Sequence, residues 1–133
     1  MALSLTDVQQ ELAASIRELA DKRAPLSQTR TRFDALTGGD AGTEWGAVTE
    51  QGLHSIHLSE DVGGMGGTTV DLAVAVTAAG EALLAGPFVP TVFASALALQ
   101  LGADDEILAR FADGASAAVV RGELNAGATG DGG

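Results

Sequence analysis

Apolar residues recur every three or four positions at the start of the chain: Leu5, Val8, Leu12, Ile16 and Leu19. Glu11, Arg17, Glu18, Asp21 and Lys22 lie mostly off that stripe. One apolar face on a helical period predicts an amphipathic helix over Thr6–Arg23. Thr6 followed three residues later by Gln9 is a capping-box pattern for its start. Pro25 predicts its stop, because the residue before proline is pushed out of the helical region. Leu26–Gly42 is polar and turn-rich and ends in Gly38-Gly39-Asp40-Ala41-Gly42. A short helix is expected over Thr43–Gln51, capped by Thr43, with Glu44 in the first turn and Trp45 and Val48 pointing inward together. Gly52 closes it in the left-handed conformation.

The pattern then changes. Leu53, Ile56 and Leu58 lead into Gly63-Gly64-Met65-Gly66-Gly67, and a long run without a polar face follows. Thr68 or Thr69 starts a helix with Asp71 in its first turn, and Leu72–Ala79 is apolar nearly all round. Such a helix is expected to be buried on most sides and to stop at the Gly86-Pro87 break. Two more helices are predicted, over Thr91–Gly102 and Asp104–Ala112. The second carries Asp104, Asp105 and Glu106 at its start, where the helix dipole favours acids, and buries Ile107, Leu108 and Phe111. Ala115–Val120 has the character of a strand beginning, and Arg121–Gly133 is glycine-rich, without period, and expected to be disordered. The expectation is an all-α bundle of about five helices over residues 1–120, with 121–133 as a tail.

Composition narrows the chemistry. The chain has 133 residues, 46% apolar but only 4% aromatic, so its core must come from Ala, Leu and Val. It has no cysteine, which removes disulfides, thiolate metal sites and thiol catalysis. Its net charge of −11 disfavours nucleic acid and anionic membrane surfaces. No charged residue occurs between Ala82 and Ala103, long enough to cross a bilayer, but Gly86, Pro87 and Pro90 interrupt the run, so two buried helices are expected and no span. Met1–Thr6 shows no secretory pattern, and with the missing cysteine this is compatible with cytoplasm.

Candidate chemistry is sparse. Arg23, Arg30, Arg32 and Lys22 hold four of the seven basic residues, readable as an anion contact or a solvated linker. His54 and His57 stand three apart without an evident third metal ligand, which leaves surface or half-buried histidines as the plainer reading. Glu60 and Asp61 read as solvent-facing acids, and Glu81 as a helix-terminal acid. The glycine run lacks the spacing of a phosphate loop, so close packing against a ligand or another domain explains it better.

The order of these pieces resembles the N-terminal helical domain of the acyl-CoA dehydrogenase family. The residues that carry it run from Trp45 to Ala118. Gly52-Leu53 comes first, then the loop Ser59-Glu60-Asp61-Val62-Gly63-Gly64-Met65-Gly66, Gly80-Glu81, the break at Pro87 and Pro90, an alanine-rich helix, and Ala112-Asp113-Gly114. Leu3-Ser4-Leu5-Thr6-Asp7-Val8-Gln9 resembles the family's first helix. Ser59 replaces the loop proline, Val62 an aromatic, and Val120-Arg121-Gly122-Glu123-Leu124 departs from the segment that opens the family's flavin-binding β-domain.

The resemblance implies a flavin-dependent α,β-desaturation of an acyl-CoA thioester. These residues would supply acyl-pocket wall and no catalytic base. The implied lining is Gly64, Met65, Gly66, Phe88, Thr91 and Ser95. FAD belongs to the complete enzyme and is not expected on this chain alone. The β-domain and the C-terminal domain are expected from other polypeptide, in a homo- or hetero-oligomer with another chain of this kind. The alternative is a non-catalytic helical interaction or scaffold module.

Overall fold

In a computed structural model of the chain, the structure describes residues 4–23, 25–28, 31, 42–84, 86–120 and 122. The described residues form five α-helices: α1 (Asp7–Arg23), α2 (Gly42–Glu50), α3 (Thr69–Glu81), α4 (Phe88–Gln100) and α5 (Asp105–Ala112). Short 3₁₀ turns occupy Leu26–Gln28, Leu53–Ser55 and Glu60–Val62. The expectations for Arg30, Arg32, residues 38–41 of the glycine turn, Arg121 and the tail beyond Gly122 lie outside the described residues, as does the Thr43 side chain.

The helix starts follow local chemistry. The Thr6 N–H donates to Gln9 Oε1 at 3.1 Å and the Gln9 N–H donates to Thr6 Oγ1 at 3.2 Å, closing the capping box read from the sequence. A second box opens α3, where the Thr68 N–H donates to Asp71 Oδ2 at 2.8 Å and the Asp71 N–H donates to Thr68 Oγ1 at 3.1 Å. Gln9 Nε2 then donates to Asp71 Oδ1 at 3.0 Å and ties the two boxes together. The bond to the Thr68 backbone, and next the one from Gln9, hold the Asp71 carboxyl below its ordinary range.

The core lies where α1 and α3 pack against each other and against α2 and the 3₁₀ turn after it. Ile16, Leu19, Val48, Leu53, Ile56, Leu72, Ala75, Ala78, Phe88 and Val92 are buried there. Small side chains on α3 let the backbones approach, as the alanine-rich composition requires. Leu5 and Val8, counted on the inward stripe from spacing, are exposed. The buried face of α1 is instead Ala13, Ile16, Leu19 and Ala20.

Three boundary expectations are corrected. α3 stops at Glu81, before the Gly86-Pro87 break, through a left-handed Leu83 (φ 51°) whose N–H donates to Gly80 O. α4 begins at Phe88 rather than Thr91 and takes Pro90 into its first turn, where a missing N–H leaves no helix bond unmade. Ala115–Val120 forms no strand. The expectation that α3 and α4 are buried on most sides also fails: Val70, Ala73 and Thr77 on α3, and Val89, Phe93 and Leu97 on α4, are exposed. Each helix finds neighbours on one side only.

Candidate functional site

The glycine loop is built from its own backbone. The N–H groups of Gly63, Gly64, Met65, Gly66 and Gly67 donate to the carbonyls of Glu60, Ser59, Ser55, Leu58 and Ile56 respectively. The loop therefore folds back on the turn before it, and every amide in the run is used. A Cβ at Gly64 would fall on the Leu58 carbonyl, and Gly66 sits at φ 69°, so both positions require glycine. Met65 projects from the loop beside Gly52 and is exposed. Glu60 and Asp61 are exposed beside it.

α4 has two apolar faces with different fates. Phe88, Thr91, Val92 and Ser95 are buried. Thr91 Oγ1 donates to Ala117 O at 3.2 Å and accepts from the Ala117 N–H at 3.1 Å. Ser95 Oγ donates to Val92 O at 3.1 Å and so accepts the Nε2–H of His57 at 2.8 Å. The opposite face shows Val89, Phe93 and Leu97 to solvent, and Leu101 continues it. Of the six residues expected to line a substrate wall, Gly64, Met65 and Gly66 sit together on the loop. Phe88, Thr91 and Ser95 sit together inside α4's packed face, engaged with the protein's own groups.

Between the start of α3 and the exposed side of α4 runs a groove of about 570 Å³, lined by His57, Gly67, Thr68, Leu72, Phe93 and Leu97 among others. His57 is half-buried at its edge. Burial first, and the neighbouring His54 second, lower its pKa below the ordinary 6.5. The Nδ1 atoms of His54 and His57 are both buried with no hydrogen-bond partner. His54 itself is fully buried, which corrects its reading as a surface or half-buried residue. Its Nε2–H donates to Ala112 O at 2.7 Å, and its ring meets Trp45 edge-on at 6.0 Å. Among the described residues no cluster of His, Asp or Glu could hold a metal.

His54 belongs to a set that sequence reasoning did not find. The Trp45 Nε1–H donates to Gly114 O at 3.2 Å. With His54 on Ala112 O and Thr91 on Ala117, three side chains from three elements pin the backbone that leaves α5. That fixes where residues 118–120 depart from the bundle. Nothing local marks such long-range donors.

A flavin would bring a pyrophosphate, and the glycine loop does not fit one, because none of its amides is free to point at an anion. Glu81, the acid at the end of α3, is exposed and paired with Arg17 at 3.2 Å. No helix among the described residues is long and apolar enough to cross a membrane.

Comparison with known proteins agrees with the fold. Residues 6–115 match the family model described as acyl-CoA dehydrogenase, N-terminal domain. The chain has no match among curated proteins or among solved structures. The matched span includes all five helices, the glycine loop and both capping boxes, and the chain belongs to the acyl-CoA dehydrogenase family through its N-terminal domain.

Proposed function

We propose that the chain serves a flavin-dependent acyl-CoA dehydrogenase, in which an acyl-CoA thioester is desaturated at its α and β carbons. Its part is to supply wall for the acyl chain. The α-proton base and the flavin site come from other polypeptide, in an oligomer with another chain of the family. The reading rests on family membership and on one observation: α4 offers an uncharged, exposed apolar face beside a groove. An acyl chain needs apolar contact and little else.

In this reading Met65 on its glycine loop and the exposed side of α4, Val89, Phe93 and Leu97, touch the acyl chain. Gly64 and Gly66 hold the loop's shape. Phe88, Thr91 and Ser95 act from behind by fixing α4 on the core. A cytoplasmic setting accompanies the proposal.

The test is flavin absorbance and acyl-CoA-dependent reduction of an electron acceptor. Both are measured on the purified chain alone and after co-purification with acyl-CoA dehydrogenase-like chains from the same cell. Flavin and turnover in the complex, and neither in the isolated chain, are expected. Flavin and turnover in the isolated chain would refute the division of labour. Their absence from every complex would leave a non-catalytic scaffold, a reading favoured by the inward-turned amides of the loop.

A further inference from the structure

The groove between the start of α3 and the exposed side of α4 is not uniformly apolar. Leu72 on α3 and Phe93, Ala96 and Leu97 on α4 supply its apolar wall, and Thr69 and Gln100 line the same groove. Thr69 is the first residue of α3 and Gln100 the last of α4. Phe93, Ala96, Leu97 and Gln100 recur at helical spacing on one face of α4, and the step from the first to the last is about 10 Å of helix.

The polar side chains of the groove differ in what they have left to offer. Thr68 Oγ1 accepts from the Asp71 N–H, and the His57 Nε2–H is given to Ser95. Thr69 Oγ1 and the Gln100 carboxamide make no hydrogen bond among the described residues. Both side chains are exposed, so solvent satisfies them in the open groove. A plain hydrocarbon chain laid along the groove strips that solvent and puts nothing in its place, which disfavours it. A hydroxyl restores the bonds, because it both donates and accepts, as the threonine hydroxyl and the glutamine carboxamide do. No acid, lysine or arginine lines the groove, and the chain carries a net charge of −11, so an anionic group finds no counter-charge there.

We infer that this groove selects acyl groups that bear a hydroxyl remote from the thioester, and that Thr69 and Gln100 recognise it. The inference rests on the proposed reading that the groove takes the acyl chain, and it names the class of acyl group. Apolar residues hold the chain and two uncharged polar ones set its identity, the ordinary division of labour in a small-molecule site. A site whose polar groups need a partner rejects an analogue lacking it more sharply than an apolar wall rejects one extra methylene.

The test titrates the full chain with two neutral ligands, octanoyl-pantetheine and ω-hydroxyoctanoyl-pantetheine, followed by NMR at the Phe93 ring and the Leu97 methyls. Both ligands should shift Phe93 and Leu97, with the hydroxylated one binding on the order of 10-fold tighter. Thr69→Val combined with Gln100→Leu should remove that margin by weakening the hydroxylated ligand about 10-fold, while the octanoyl ligand binds at least as well as before. Both positions are exposed and Thr69 stands outside the α3 capping box, and circular dichroism checks the fold.

Equal binding of the two ligands by the unaltered chain, or a margin that survives in the altered one, overturns the inference and leaves the acyl-wall reading standing. Failure of both ligands to shift Phe93 and Leu97 at millimolar concentration overturns the acyl-wall reading and this inference with it. Flavin and turnover in complexes with other family chains are measured separately and do not enter the comparison.

Discussion

His57 donates its Nε2–H to Ser95 Oγ across 2.8 Å, and that hydroxyl donates its own hydrogen bond to Val92 O at 3.1 Å. The turn before the glycine loop is thereby fastened to the middle of α4. The imidazole is held neutral, with Nδ1 buried and unpartnered. Protonation puts a new donor where no acceptor waits. The pKa of His57 is lowered from 6.5, so the unfolded chain binds the proton more readily than the folded one. The His57 contribution is therefore present above pH 6.5 and is lost as pH falls below it through the lowered folded-state value. Urea midpoints measured from pH 8 to pH 5 should decline on this limb. His57→Gln, which keeps an N–H donor and removes the titration, should flatten it. An unchanged slope in that variant would assign the effect elsewhere.

Thr91→Val removes both hydrogen bonds to Ala117 while keeping shape. A loss of about 1–3 kcal/mol is expected, the range for stranding buried polar partners. Amide exchange should rise at Ala117 and leave the α1–α3 pair protected. Uniform loss of protection across the bundle would show that the contact serves the whole fold rather than the exit segment.

The two faces of α4 should respond oppositely to truncation. Phe88 is 1% exposed, and Phe88→Ala should cost about 3–5 kcal/mol through lost burial and a cavity. Phe93→Ala on the exposed face should stay within about 0.5 kcal/mol in the monomer. Thermal melts at low concentration decide between these. Equal losses at both positions would mean that the exposed face is packed.

The glycines divide in the same way. Gly64→Ala drives a Cβ onto the Leu58 carbonyl and should abolish cooperative unfolding. Gly46, inside α2, has nothing within 4 Å of a built Cβ. Gly46→Ala should therefore stabilise by about 0.5–1 kcal/mol through helix propensity. Chemical denaturation of the two variants side by side measures the contrast.

Much of the fold was legible because it is written in short-range chemistry. The spacing of Thr6 and Gln9 announced the start of α1, and the same logic placed Thr68 or Thr69 at the start of α3. Gly52 takes the left-handed conformation expected of it after α2, and Gly102, expected as the end of its helix, is left-handed as well. Less legible was the stop at Leu83, since a leucine at positive φ carries no local signal. The start of α4 at Phe88 is equally hard to see, since a proline tolerated in a first turn looks the same in sequence as one that breaks a helix.

The sequence by itself determined the five helices, their order and the family, because capping, periodicity and glycine spacing act over a few residues. It did not decide which side of α4 is inside. Phe88 and Val92 on one face and Phe93 and Leu97 on the other are equally apolar, so hydrophobicity gives no preference. Tertiary structure broke that tie by packing one face on the core and spending Thr91 and Ser95 on Ala117 and His57. The same long-range donors turned His54 and Trp45 into anchors for the segment after α5. Such partners, tens of residues apart, are chosen only when the helices meet.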